Sequence, residues 1–251
     1  MPDSPPQQQP LRKQVALVTG ATGGIGYATA RALAAAGAHV AVGCRTRHRA
    51  EALARELELE FGVAGLPIEL DVTNSTSVEN MSEKLLKKFR RIDIIVNAAG
   101  VMHMDQMLDA PLEAFTETLT TNVGGPFLVV RALVEEMISR KRGLIVNVAG
   151  MAGVSGAPFL SAYCASKAAL ISLTQSWARE MADDGVRVVA VCPDIVDTPL
   201  VRDILKVDGV PMLAPEAVAA RIVALATGED GVESGGMIPM EAVVPTGGGA
   251  G

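Results

Sequence analysis

The chain has 251 residues, 49% of them apolar but only 3% aromatic, and a formal net charge of -6. That composition allows one large α/β domain or two small ones, with a core of Val, Ile, Leu and Ala such as a parallel sheet covered on both faces needs. The acidic balance leaves no basic face to neutralise a phosphate backbone, so nucleic acid is not an expected partner.

In chain order, "MPDSPPQQQP" has no apolar core of a targeting segment, and residues 1–12 are expected to be a disordered leader. "VALVTGATGGIGYATARALAAAGA" reads as a strand, a glycine turn and a helix. Gly20 suits the tight turn, and Gly24 and Gly26 let the backbone approach a pyrophosphate at the positive end of the helix. Thr22 and Ile25 belong to the same expected nucleotide-binding turn. The second strand, "HVAVGC", ends without the carboxylate that would accept from a ribose 2′-hydroxyl; Arg45 follows, with Arg47 and Arg49 nearby. Arginine there pairs with a 2′-phosphate, which favours NADP(H) over NAD(H), unless these arginines are only a solvated helix start.

Further strands are expected at "GLPIEL", "IDIIVN", "GLIVNV", "VRVVAVC" and, last, "AVVP", separated by amphipathic, alanine-rich helical stretches. That alternation means βαβ units: a single α/β domain over residues 13–245, with a doubly wound seven-stranded parallel sheet and helices on both faces. Between the sixth and seventh strands, the stretch with Gly209 and Pro211 is either a lid over a pocket or an ordinary surface connection. Residues 246–251 read as a flexible tail. Cys44, Cys164 and Cys192 lack ligand spacing, so neither a disulfide nor a metal site is expected. No apolar run reaches the roughly 18 to 20 residues of a membrane span, and a soluble, cytoplasmic protein without a membrane partner is expected.

"YCASK" sets Tyr163 and Lys167 four apart, on one face of a helix. A free phenol has a pKa of about 10, and a nearby cation favours its ionised form, which suits it to acid and base work.

With "TGATGGIG" at Thr19–Gly26, "NAAG" at Asn97–Gly100, Asn122 in "TNVGGPF" and "YCASK" at Tyr163–Lys167, nearly the whole chain resembles the short-chain dehydrogenase/reductase family. The resemblance implies a Rossmann-type fold, NADP(H) as cofactor and a small-molecule carbonyl or alcohol as substrate. By the same resemblance, Asp71 and Val72 contact adenine, Asn97 braces the strand ends and Gly100 lies along the cofactor. Lys167 would hold the nicotinamide ribose and lower the Tyr163 pKa, Tyr163 would exchange a proton with the substrate oxygen, and Asn122 would hold a water behind Lys167. Val196 and Thr198 would contact the carboxamide and phosphates.

Two positions depart from the family pattern. A serine usually stands thirteen residues before the tyrosine, where this chain has Gly150, and Asp194 in "CPDIVDTPL" replaces a glycine. Gly150 and Asp194, with Met151 and His103, are expected to line the substrate pocket, for a bulky and largely apolar compound. Several readings stay open: a slow reductase; one whose donor comes from Ser155, Ser161 or the substrate; an engineered Gly150 that traps a ligand; a redox-neutral cyclase, dehydratase or isomerase with NADP as scaffold; and a non-catalytic NADP sensor. A homotetramer or homodimer is expected through "PFLVVRALVEEMI" and "YCASKAALISLTQSWAREMA", which are apolar on more than one face.

Overall fold

The computed structural model describes residues 9–205 and 209–242. Its seven strands are β1 (Val15–Thr19), β2 (His39–Cys44), β3 (Gly65–Glu69), β4 (Ile94–Asn97), β5 (Gly143–Val148), β6 (Val186–Pro193) and β7 (Met237–Met240). Between them run helices α1 (Gly24–Ala35), α2 (Arg47–Phe61), α3 (Ser75–Phe89), α4 (Leu112–Leu119), α5 (Gly125–Ser139), α6 (Ser161–Glu180), α7 (Pro199–Leu205) and α8 (Pro215–Thr227). The strands form one parallel sheet in the order β3-β2-β1-β4-β5-β6-β7.

The central strands are buried on both faces, which is why they read as unbroken apolar runs and not as alternations. Ala16 and Val18 point into one layer with Leu33 of α1, Leu53 of α2 and Ile222 of α8. Val15 and Leu17 point into the other, with Met81 of α3, Leu133 of α5 and Trp177 of α6. The sheet therefore separates two cores.

Two boundaries differ from the sequence expectation. Packing begins before residue 13: Leu11 is fully buried, and its N–H donates to the Ala36 carbonyl at 2.9 Å, closing the chain start over the end of α1. The seventh strand is "MIPM", just before the expected "AVVP": Ala190 pairs with Met237 through Pro193 with Met240, and Pro239 is tolerated at the sheet edge. Residues 1–8 of the expected leader, residues 243–245 of the expected strand and the expected tail lie outside the described residues. After β6 the chain crosses to α7, and Val196 bridges to Leu213 just before α8.

Candidate functional site

The strand order reverses between β1 and β4, and a cleft of about 520 Å³ opens there, along the carboxyl ends of β1 to β4. Gly20, Thr22, Gly24, Ile25 and Gly26 line it, as do Arg45, Asp71, Val72, Gly100 and Thr198. Gly20 has φ 62°, and a Cβ on it would stand 2.8 Å from the Ala99 backbone. A Cβ on Gly26 would strike the Gly20 carbonyl oxygen, so Gly26 serves the close packing of helix on turn more than ligand approach. No side chain caps α1, which leaves its first-turn N–H groups and dipole available to an anion.

The adenine end of the cleft is cationic. Arg45, Thr46 and Arg49 line it, and neither arginine forms an ion pair among the described residues. Arg47 belongs elsewhere: its Nε donates to Glu51 at 2.9 Å and it lines a separate groove. Asp71 accepts from the Thr73 hydroxyl at 2.7 Å and the Thr73 N–H at 2.9 Å. Those bonds, with a smaller contribution from the Arg45 charge, hold its carboxyl below the usual range.

The acid–base pair stands behind Gly100, which lines the cleft, whereas Tyr163 and Lys167 themselves do not line it. Lys167 Nζ donates to the Val148 carbonyl at 2.9 Å, lies 5.4 Å from the Tyr163 ring centroid, and is 3.9 Å from where Gly100 would carry a Cβ. Burial pushes the phenol up to about 12 and the ammonium down to about 8. The expectation that Lys167 lowers the Tyr163 pKa is thus not met in the protein alone. One of the three ammonium N–H groups goes to a backbone carbonyl, and desolvation of the phenol dominates.

Asn122 sits in a π-helical turn, Thr120–Gly124, of the kind that often marks functional sites. Its Oδ1 accepts from Val101 N–H at 2.9 Å, and its Nδ2 donates to the Val101 carbonyl at 2.9 Å and to Ser166 Oγ at 3.0 Å. Ser166 in turn donates to the Tyr163 carbonyl at 2.7 Å. Asn122 therefore ties the loop after β4 to the helix that holds Tyr163. Both amide hydrogens of the side chain are committed to protein partners.

Asn97 is buried outside the cleft, donating to Asn147 Oδ1 at 2.8 Å and so bracing β4 against β5. The glycine-turn side of that brace is Thr19, whose Oγ1 accepts from Ala98 and Ala99 N–H at 3.2 Å each. Val196 is buried and does not line the cleft, whereas Thr198 does, with its methyl against Gly24. His103 Nε2 is 2.9 Å from Glu117 Oε2, and it is Glu117 that lines the cleft. Met151 packs on Ala149, Leu170, Ala190 and Cys192. Beside Tyr163, an apolar wall is built from Met102, Leu160 and Cys164, with Ile204 and Leu205 of α7 against it.

Gly150 has φ 139° and ψ 155°, a region that side-chain-bearing residues rarely adopt. Gly150→Ser is therefore expected to lose about 1–3 kcal/mol of stability, measured by denaturant unfolding, and not to accelerate turnover. Unchanged stability would show that the loop relaxes freely. Asp194 is exposed, and its N–H donates to the Met240 carbonyl at 2.9 Å. Ser155 and Ser161 are also exposed. Among the described residues, no cluster of His, Cys, Asp or Glu has the makings of a metal site, the three cysteines are free, and no helix is long and apolar enough to cross a membrane.

Comparison with known proteins agrees with this geometry. Residues 14–208 match the short chain dehydrogenase family model. A 3-oxoacyl-(acyl-carrier-protein) reductase of Thermotoga maritima is 33% identical over 242 residues, covering 92% of this chain and 97% of that protein. A putative ketoacyl reductase of the monensin polyketide synthase, from Streptomyces virginiae, is 38% identical over 194 residues, 75% of this chain and 73% of that protein. A short-chain type dehydrogenase/reductase from Mycobacterium marinum superposes with a TM-score of 0.87 at 34% identity, over 93% of this chain and 96% of its own. The glycine cradle and the donor set along the cleft fit a nicotinamide dinucleotide, and the chain belongs to the short chain dehydrogenase family of NAD(P)-dependent oxidoreductases.

Proposed function

We propose that the protein is an NADPH-dependent reductase of a bulky, largely apolar carbonyl compound, with Tyr163 as the acid. The observation that carries this reading is the pairing of Tyr163 with Lys167 directly behind Gly100, at the edge of the dinucleotide cleft. Bound NADPH supplies the hydride. Tyr163, with its pKa near 12, is a phenol at neutral pH, and so is set to donate a proton to a carbonyl oxygen. Lys167 is cationic below about 8, which suits it to holding ribose hydroxyls and to stabilising the phenolate that donation leaves. Arg45 and Arg49 support NADP over NAD, and the wall at Met102, Leu160 and Ile204 supports an apolar substrate body. The relatives described as ketoacyl reductases support the carbonyl as reacting group.

The pH dependence follows from the Lys167 shift. Its folded pKa is depressed, so the cation is present below about 8 and lost as pH rises through that value. The kcat/KM for reduction is expected to hold level below about 8 and decline above it, and Lys167→Arg is expected to move the decline to higher pH. A profile that rises through pH 8 would contradict the assignment. A second reading, redox-neutral chemistry with Asp194 as acid or base, draws on the Gly150 backbone, which is shaped for the absence of a side chain. We also place the protein in the cytoplasm as a homotetramer or homodimer joined through α5 and α6, where Phe127 is exposed; light scattering that reports a monomer would overturn the assembly.

A further inference from the structure

Helix α6 carries the phenol of Tyr163 in its first turn, and that turn has no side-chain cap. Leu160 stands at the N-cap, with no polar atom to bond the free N–H groups that follow. Uncapped helix ends fray. The packing of Leu160 and Cys164 with Met102 buries the turn, but apolar contact is non-directional and does not by itself fix where the phenol points.

Ser166 supplies a directional tie. It is fully buried, one turn on from Tyr163, and its hydroxyl donates to the Tyr163 carbonyl at 2.7 Å. With its proton committed there, the oxygen can only accept from a further partner, and it accepts from Asn122 Nδ2 at 3.0 Å. Asn122 is itself fixed, because its Oδ1 takes the Val101 N–H and its other amide hydrogen goes to the Val101 carbonyl, at 2.9 Å each. Gly100 and Val101 line the dinucleotide cleft, and a Cβ on Gly100 would stand 3.2 Å from Asn122 Oδ1 and 3.9 Å from Lys167 Nζ. A chain of hydrogen bonds therefore runs from the cleft wall at Val101, through Asn122 and Ser166, to the backbone of Tyr163. Among the described residues, Asn122 to Ser166 is the side-chain hydrogen bond that joins the π-helical turn to α6.

We propose that Ser166 is a positioning residue: acting through Asn122, it holds the turn that carries Tyr163 in register with the Gly100–Val101 wall of the cleft, and so with a cofactor and substrate bound along that wall. The proposal rests on the reductase reading for the chemistry and adds to it the hydroxyl that keeps the acid in place. Ser166 is sealed beneath the helix and touches no reacting atom.

The test is a double-mutant cycle on NADPH-dependent reduction of the best ketone from a bulky panel. Ser166→Ala is expected to lower kcat about 10- to 100-fold, the cost of a misplaced group, with NADPH affinity at the parent value. In an Asn122→Ala background the same change is expected to cost little more, since the two side chains act through one bond; a hydroxyl with an independent structural role gives additive losses. Amide exchange of the Val101 N–H, followed by NMR, reads the link without turnover and is expected to be faster in Ser166→Ala. A variant that keeps the parent kcat, where the parent consumes NADPH on the ketone, overturns the positioning role and leaves the reductase reading standing. Additive losses, or unchanged Val101 exchange, place the effect outside the Asn122 link and overturn the proposal as stated. A parent that binds NADPH and reduces no carbonyl overturns the reductase reading; Val101 exchange then decides the link by itself, faster exchange in Ser166→Ala supporting it and unchanged exchange overturning it.

Discussion

Tyr163→Phe is expected to lower kcat about 10²- to 10⁴-fold, the usual worth of a positioned acid or base, while NADPH affinity by fluorescence titration stays at the parent value. The substitution removes one oxygen from a part-buried ring and leaves the bracing around it intact. The Ser166 hydroxyl bonds the Tyr163 backbone and not its phenol, and Asn122 bonds Ser166. Loss of turnover without loss of cofactor binding or of thermal stability therefore assigns the phenol to the chemical step. If Tyr163→Phe keeps most of its activity, proton transfer belongs to another group, and Asp194 is the first to replace.

The second large effect is on the choice of cofactor. Arg45→Ala combined with Arg49→Ala is expected to weaken NADPH binding by about 10- to 100-fold per lost charge-assisted bond, with NADH binding little changed. Two positive charges without ion-pair partners among the described residues line the end of the cleft, and no carboxylate stands at the end of β2 to receive a ribose 2′-hydroxyl. Arg47→Ala is the internal control, since Arg47 is paired with Glu51 and lies outside the cleft. An unmodified protein that prefers NADH, or a double variant that keeps its preference for NADPH, would contradict the cationic rim as a 2′-phosphate site.

The first six strands are readable in the sequence as short apolar runs, buried on both faces except for β3, whose burial alternates, and the glycine turn and the Tyr163–Lys167 spacing are readable because local geometry sets them. The seventh strand, "MIPM", is not: it carries a proline and little β-branching, and only its register with β6 identifies it. Leu11 looks like part of a polar leader, and only the nearby end of α1 gives it somewhere to be buried. The three arginines after β2 cannot be told apart in sequence. The phase of α2 turns Arg49 to the cleft and Arg47 to Glu51. Glu117, Thr19 and Ser166 were missed because each acts through a partner distant in sequence, respectively His103, the Ala98–Ala99 backbone and Asn122. The absence of a serine is plain at Gly150, whereas the φ of 139° that makes the absence structural is visible only in three dimensions.

The most direct test of NADPH-dependent carbonyl reduction is the ratio of alcohol formed, by mass spectrometry, to NADPH consumed, by absorbance, for the purified protein given a panel of bulky ketones and hydroxyketones. Hydride transfer through this site predicts one alcohol per NADPH, lost in Tyr163→Phe. Product formed without net NADPH consumption would contradict it, and would mean that the dinucleotide cleft serves redox-neutral chemistry.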